Sequence, residues 1–156
     1  MDVMDEDLLN FWRALNNNKV RFMMVGGLAT RFHGYNRTTD DLDMWLEDTH
    51  ENRHNLRNAF KALNYGDYPS IETMQFVPGW TSFHAAGIVL DIMTEMKGLD
   101  DLSFDDCYKA AVFTDIDGVT VPFINIDHLI RNKKTVNRTK DQIDVEYLEK
   151  IKKLKQ

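Results

Sequence analysis

Apolar residues return along this chain with two different periods, and the switches between them predict the order of elements. Between Asp5 and Asn17, Leu8, Phe11, Trp12 and Leu15 recur at helical spacing, with Asp5, Glu6 and Asp7 placed at the positive end of the helix dipole. Val20 to Val25 is an unbroken apolar run closed by Gly26-Gly27, the pattern of a central strand buried on both faces. Leu28 to His33 has room for a short helix only, and the polar stretch Tyr35 to Thr39 leads into a strand from Asp41 to Leu46. Period two within that strand puts Asp41, Asp43 and Trp45 on one face and turns Leu42, Met44 and Leu46 toward the core.

Downstream, Thr49 is a good N-cap for a helix whose stripe is Leu56, Ala59, Phe60 and Leu63, with Gly66 where a left-handed stop is needed. Asp67 to Trp80, broken by Pro69 and Pro78, reads as a loop with at most a turn of helix, placed to act as a substrate-facing lid. Thr81 to His84 and Gly87 to Glu95 read as strands of a hairpin. Asp105 to Ala111 is helical, and Asp115-Ile116-Asp117-Gly118 is a tight turn between Val112 to Thr114 and Val119 to Phe123. Helices from Asp127 to Val136 and from Lys140 to Leu154 close the chain. Thr139 to Gln142 fits a capping box for the second, and Ile143, Tyr147, Leu148, Ile151 and Leu154 form its buried stripe. The sum is an α+β (α/β) fold, a mixed β-sheet flanked by helices with a helical C-terminus, in one domain over residues 1–156.

Composition narrows the chemistry. Of 156 residues 43% are hydrophobic and 28% charged, ordinary for a globular domain, and the net charge of -6 argues against a long nucleic-acid-binding surface. The lone Cys107 permits neither an internal disulfide nor a cysteine-rich zinc site and reads as structural. An acidic start and the absence of any apolar run near the roughly 20 residues needed to span a bilayer lead us to expect a cytoplasmic protein without a membrane anchor. His50 and His54, four apart, read as a solvated helix face rather than metal ligands. Trp45 and Trp80 fit packing better than stacking on a nucleobase.

Two features remain to be explained by function. Consecutive glycines at a strand end let the backbone approach an anion, and the helix that follows directs unpaired N–H groups toward phosphate oxygens, although such pairs also make ordinary turns. Asp-x-Asp occurs at Asp5/Asp7, Asp41/Asp43 and Asp115/Asp117. The first decorates a helix start and the last makes a turn, whereas the middle pair lies inside a strand, where mutual repulsion needs relief by a divalent cation. Asp91 is the sole charge between Gly87 and Met93, and it completes a metal-binding set if its strand lies beside the one carrying Asp41 and Asp43. Mg²⁺ prefers carboxylate and phosphate oxygens, and two such ions suit in-line attack at an α-phosphorus. The basic segment Arg131 to Lys140 is either a solvated helix end paired with Asp141 and Asp144 or a lid closing over a triphosphate.

Taken together, hydrophobic-Gly26-Gly27-x-Ala29, Arg37-x-Thr39-x-Asp41-Leu42-Asp43 and a strand-borne Asp91 resemble the DNA polymerase β nucleotidyltransferase superfamily. The similarity is to its small bacterial members: the minimal nucleotidyltransferases, the lincosamide-modifying type and toxin components of the AbiE type. It spans Arg21 to Asp91 and resumes weakly from Ile126 to Lys134 and through Arg138-Thr-Lys-Asp141-Gln-Ile-Asp144. The resemblance implies that Asp41 and Asp43 bind two Mg²⁺ ions and that Asp91 binds the catalytic one and helps deprotonate the acceptor. It further implies that Gly26 and Gly27 hold the β- and γ-phosphates, with phosphate contacts from Arg37 and Lys133. Many members carry Gly-Ser where this chain has Gly26-Gly27, so a hydroxyl contact is missing while the backbone donors remain.

The expected function is Mg²⁺-dependent transfer of a nucleoside monophosphate from a triphosphate such as ATP to an acceptor hydroxyl on a small molecule, a protein or tRNA. The alternative is a low-turnover nucleotide-binding module, such as a toxin–antitoxin component with an antitoxin partner, and a third reading is a small domain holding a structural cation. A homodimer would complete a cleft that so small a fold leaves open.

Overall fold

The apolar run that ends at Gly26 becomes β1 (Phe22–Val25), and all of its residues are buried, as expected of a strand covered on both faces. A computed structural model describes residues 5–79, 81–85 and 87–155. Around β1 the chain runs α1 (Glu6–Asn17), α2 (Gly26–Phe32), β2 (Asp41–Leu46), α3 (His50–Ala62), a 3-10 helix (Pro69–Glu72), β3 (Ser82–Ala85) and β4 (Ile88–Met93). It continues through α4 (Phe104–Lys109), β5 (Val112–Ile116), β6 (Val119–Phe123), α5 (Ile126–Val136) and α6 (Thr139–Leu154). The strands form one six-stranded mixed sheet in the order β3-β4-β2-β1-β6-β5. β1 pairs antiparallel with β2 and parallel with β6, β2 pairs parallel with β4, and antiparallel partners β3 and β5 close the two edges. The α+β sheet with a helical C-terminus is therefore the observed architecture.

Leu8, Phe11, Trp12 and Leu15 are buried where α1 packs on α3 and β6. The Trp12 indole N–H donates to Met24 Sδ at 3.4 Å, which ties this helix to the central strand. α2 lies on β1 and β2 and touches α5, which in turn carries α6. Asn52, 3% exposed near the start of α3, fixes the β1–β2 register from the end of the sheet opposite Gly26. Its Oδ1 accepts the Arg21 N–H at 2.7 Å, and its Nδ2 donates to the carbonyls of Arg21 at 2.9 Å and Glu47 at 2.8 Å.

Several local expectations shift. Gly26 and Gly27 are the first turn of α2 and not a separate loop, because Gly26 takes φ +64 and turns strand directly into helix. The left-handed residue that ends α3 is Asn64 (φ +61), a residue type that tolerates this conformation, and Gly66 (φ +127) lies in the irregular stretch after it. The cap of α6 is Arg138, whose N–H donates to Asp141 Oδ2 at 3.1 Å, so the capping frame lies one residue before the expected one. The buried stripe of α6 also differs: Leu148 is buried, but Ile143, Tyr147 and Leu154 are exposed, and the inward positions are Asp141, Asp144 and Leu148. Carboxylates face inward there because α6 packs over cationic side chains of α5 and of the segment before β2, while Tyr147 stacks on Tyr35 at 4.1 Å. No helix among the described residues is long and apolar enough to cross a membrane.

Candidate active site

Strand pairing decides where the acids meet. β2 and β4 run parallel with Asp43 and Asp91 as Cα partners, and Asp41 lies two residues before Asp43. Partnered residues of adjacent strands project from the same face, as do residues two apart. Asp41, Asp43 and Asp91 thus line one cleft of about 400 Å³, together with Val25, Gly26 and Lys133. An adjoining recess of about 250 Å³ is lined by Gly26, Gly27, Arg37, Thr39 and Lys133, with Asp41 and Asp43 on the border between the two spaces. All seven residues singled out from the sequence (Gly26, Gly27, Arg37, Asp41, Asp43, Asp91 and Lys133) lie on these two connected cavities.

The glycines have a further reason to be glycines. A Cβ on Gly26 would overlap the Asp43 carboxylate, and one on Gly27 would come within 2.6 Å of Thr39 Oγ1 and 3.4 Å of Arg37 Nη1. The bare backbone at the start of α2 lets an acid and a guanidinium from the opposite wall lie directly over it.

Burial, followed by repulsion from Asp91 and Asp41, pushes the Asp43 carboxyl up to about 6, against the pull of Lys133 and Lys140. Burial also raises Asp91, opposed by the Gly79 N–H that donates to its Oδ2 at 2.9 Å. Asp91 Oδ1 is buried with no hydrogen-bond partner among the described residues. Among the described residues no three His, Cys, Asp or Glu side chains already converge on one cation position. The donor set nevertheless fits a hard divalent cation: oxygen ligands only, mutually repelling, with an orphaned oxygen on the acid that completes the group.

The opposite wall is basic and tightly paired. Arg37 donates from Nε to Asp144 Oδ1 at 2.7 Å and from Nη2 to Asp144 Oδ2 at 2.9 Å. Lys133 Nζ reaches the same Asp144 Oδ2 at 2.8 Å and Asp141 Oδ1 at 3.5 Å, and Arg138 Nε reaches Asp141 Oδ2 at 2.7 Å. Lys133 is 4% exposed and Asp141 and Asp144 1% each, so at these positions the basic segment is not a solvated helix end. Burial pushes the Asp141 carboxyl up, but the Arg138 hydrogen bonds and Lys133 outweigh it and hold the group low. Asp141 and Asp144 were visible in the sequence only as neighbours able to pair with the basic segment. Their three-residue spacing, with Leu148 on the same helical face, is the signal that they point inward.

Other candidates fall outside the site. Trp45 is buried edge-on against Phe104 at 5.3 Å, which settles it as packing, and Trp80 lies outside the described residues. His54 is on an exposed helix face and pairs with Glu72 at 3.2 Å. Cys107 is buried in the core with its thiol pushed up to about 11 by that burial. The segment read as a lid sends Pro78 and Gly79 to the cleft, where the Gly79 N–H meets Asp91.

No family model matches the chain, and no curated protein matches it. Solved structures do. The antibiotic-resistance factor ANT(2'')-Ia is 17% identical with a TM-score of 0.61, over 99% of this chain and 90% of that one. The lincosamide antibiotic adenylyltransferase LnuA, in its lincomycin-bound form, is 16% identical with a TM-score of 0.60, over 97% of this chain and 99% of its own. TM1012 of Thermotoga maritima, a candidate nucleotidyltransferase, is 18% identical with a TM-score of 0.54, over 95% and 88% of the two chains. With a central mixed sheet that carries an Asp-x-Asp strand beside a third aspartate, this chain has the nucleotidyltransferase fold.

Proposed function

We propose that the protein is a Mg²⁺-dependent nucleotidyltransferase that moves a nucleoside monophosphate from a triphosphate to an acceptor hydroxyl and releases pyrophosphate. The observation that carries this reading is the pairing of Asp43 with Asp91 across β2 and β4, beside a recess walled by Arg37 and Lys133. Partly buried, mutually repelling acids, Asp43 and Asp91 with Asp41 at the exposed rim, beside the buried Lys133 are poorly explained by stability alone, since taking a charge out of water costs on the order of several kcal/mol.

In this reading the recess holds the β- and γ-phosphates against Gly26 and Gly27, with Arg37 and Lys133 contributing charge. Asp41 and Asp43 are the residues that would hold two Mg²⁺ ions, with Asp91 as a further ligand of one. When bound there, Mg²⁺ would supply positive charge to stabilise the attacking and leaving oxygens. Asp91, whose proton affinity burial raises, draws the proton from the acceptor hydroxyl. The acceptor oxygen bonds to the α-phosphorus as the bond to the pyrophosphate oxygen breaks, and Lys133 and Arg37 stabilise the departing charge.

Incubating the protein with each α-labelled nucleoside triphosphate and Mg²⁺, then following pyrophosphate and label, tests the reading. The acceptor panel takes in tRNA, proteins and hydroxylated small molecules, including lincomycin, bound by LnuA, and tobramycin, bound in its adenylylated form by ANT(2'')-Ia. Label transfer well above an Asp43→Asn control is expected. Triphosphate binding without transfer would instead point to a low-turnover interaction module, and no binding at all to a structural cation site.

A further inference from the structure

The mechanism above makes no use of Asp144, a buried carboxylate beside the site that pairs with two cations. It is 1% exposed on α6, yet it faces the cleft wall and accepts from two cations that come from different parts of the chain. One is Arg37, which is 107 residues away in sequence and binds it through two parallel hydrogen bonds at 2.7 and 2.9 Å. The other is Lys133 on α5, at 2.8 Å. Both side chains border the recess beside Gly26 and Gly27, and Arg37 Nη1 is held close enough to Gly27 to touch any Cβ placed there.

We propose that Asp144 is a positioning residue that locks Arg37 and Lys133 into a preformed two-cation clamp for a polyphosphate chain. This deepens the nucleotidyltransferase reading and rests on it for the identity of the natural ligand. A guanidinium gripped through Nε and Nη2 cannot rotate away, and its Nη1 edge stays over the start of α2. Lys133 is fixed in the same way, with its ammonium between Asp144 and Asp141. Asp141 holds Arg138 as well, which extends the basic wall around the recess. Two cations held in place before the ligand arrives lose little side-chain freedom on binding, and that is how a carboxylate can raise the affinity of an anion site.

The sign of the effect separates this role from bulk electrostatics. Asp144→Asn removes a negative charge beside an anion site, so charge alone predicts tighter polyphosphate binding, whereas loss of the clamp predicts weaker binding. Calorimetric titration with inorganic tripolyphosphate is expected to show affinity falling tenfold or more in Asp144→Asn, with orthophosphate affinity changed less than twofold. Arg37→Lys keeps the charge but cannot grip both oxygens of Asp144, and it is expected to lower tripolyphosphate affinity at least threefold. Because Arg37 is partly exposed, this second variant keeps the test open should Asp144→Asn fold poorly.

Unchanged or tighter tripolyphosphate binding in a folded variant overturns the proposal, as does wild-type protein that does not bind tripolyphosphate. Nucleotidyl transfer, measured separately, distinguishes the two levels. Active enzyme whose Asp144→Asn form keeps the wild-type KM for triphosphate sinks the clamp alone. Clamp-dependent tripolyphosphate binding without any transfer would leave the clamp standing and remove the transferase reading.

Discussion

The Asp43 carboxylate fills the space that a Cβ on Gly26 would need, so the strand-borne acid and the first turn of α2 are in direct contact. Gly26 also takes φ +64, a conformation that costs a side-chain-bearing residue about 1–2 kcal/mol. Gly26→Ala is therefore expected to displace Asp43 and lower nucleotidyl transfer about 10²-fold, the scale of a 1 Å misplacement at a reacting centre. Turnover alongside circular dichroism checks it, since the fold should remain. Gly27→Ala comes within 2.6 Å of Thr39 Oγ1 and 2.9 Å of Thr39 Cβ and must shift that residue, but without a left-handed backbone to strain it should lose less.

Asp43 should set a pH dependence of stability in the absence of divalent cations. Its carboxyl moves from an ordinary 3.8 to about 6 on folding. Below pH 3.8 both states are protonated and no penalty exists. Between the two values the folded state binds more protons than the unfolded chain, so stability falls as pH rises, and above about 6 the whole penalty is present. Asp43→Asn should then stabilise the protein by on the order of 2–3 kcal/mol at pH 7.5 and by almost nothing near pH 4. Denaturant unfolding in a chelating buffer measures both, and an equal gain at the two pH values would contradict the assignment.

Divalent cations should reverse the same penalty. Mg²⁺ at 100 times its dissociation constant contributes about 2.7 kcal/mol by linkage, or roughly a 5–10 °C rise in Tm for a chain of this size. The doubly substituted Asp43→Asn, Asp91→Asn protein should show no such rise in differential scanning fluorimetry. Chelation should abolish nucleotidyl transfer by the unsubstituted protein.

Asn52 predicts a defect of stability rather than chemistry. Asn52→Leu keeps the volume but leaves the Arg21 N–H and the Arg21 and Glu47 carbonyls without that partner. Each buried group so stranded costs about 1–3 kcal/mol. The unfolding midpoint should fall clearly, while turnover per folded molecule at low temperature stays near the unsubstituted value, because Asn52 lies at the opposite end of β1 from Gly26. A selective loss of turnover with an unchanged midpoint would show that the residue acts on the site instead.

Local pattern carried most of the scaffold. Alternation along Asp41–Leu46 sufficed to place that strand, and the same period placed Asp41 and Asp43 together on its open face, because side-chain direction in a strand is a property of the strand itself. The helix start at Thr49 was legible for a similar reason: a cap bonds to amides within three residues of it. The lone acid in the apolar run of β4 marked Asp91 as needing an explanation, but not where it would lie.

Tertiary structure alone decided where that acid lies. The crossover that lays β4 parallel to β2 sets Asp43 opposite Asp91, and no local period encodes which strands become neighbours. The inward face of α6 was misjudged because apolar periodicity assumes that a helix buries its hydrophobic side. Here Asp141 and Asp144 go inside, since Lys133, Arg37 and Arg138 are there to pair with them. A carboxylate can leave water only where countercharges await it, and for Asp144 one of those is supplied 107 residues earlier in the chain. Which residues are candidates for the chemistry was therefore written in the sequence, and which of them face one another was settled only by long-range packing of strands and charges.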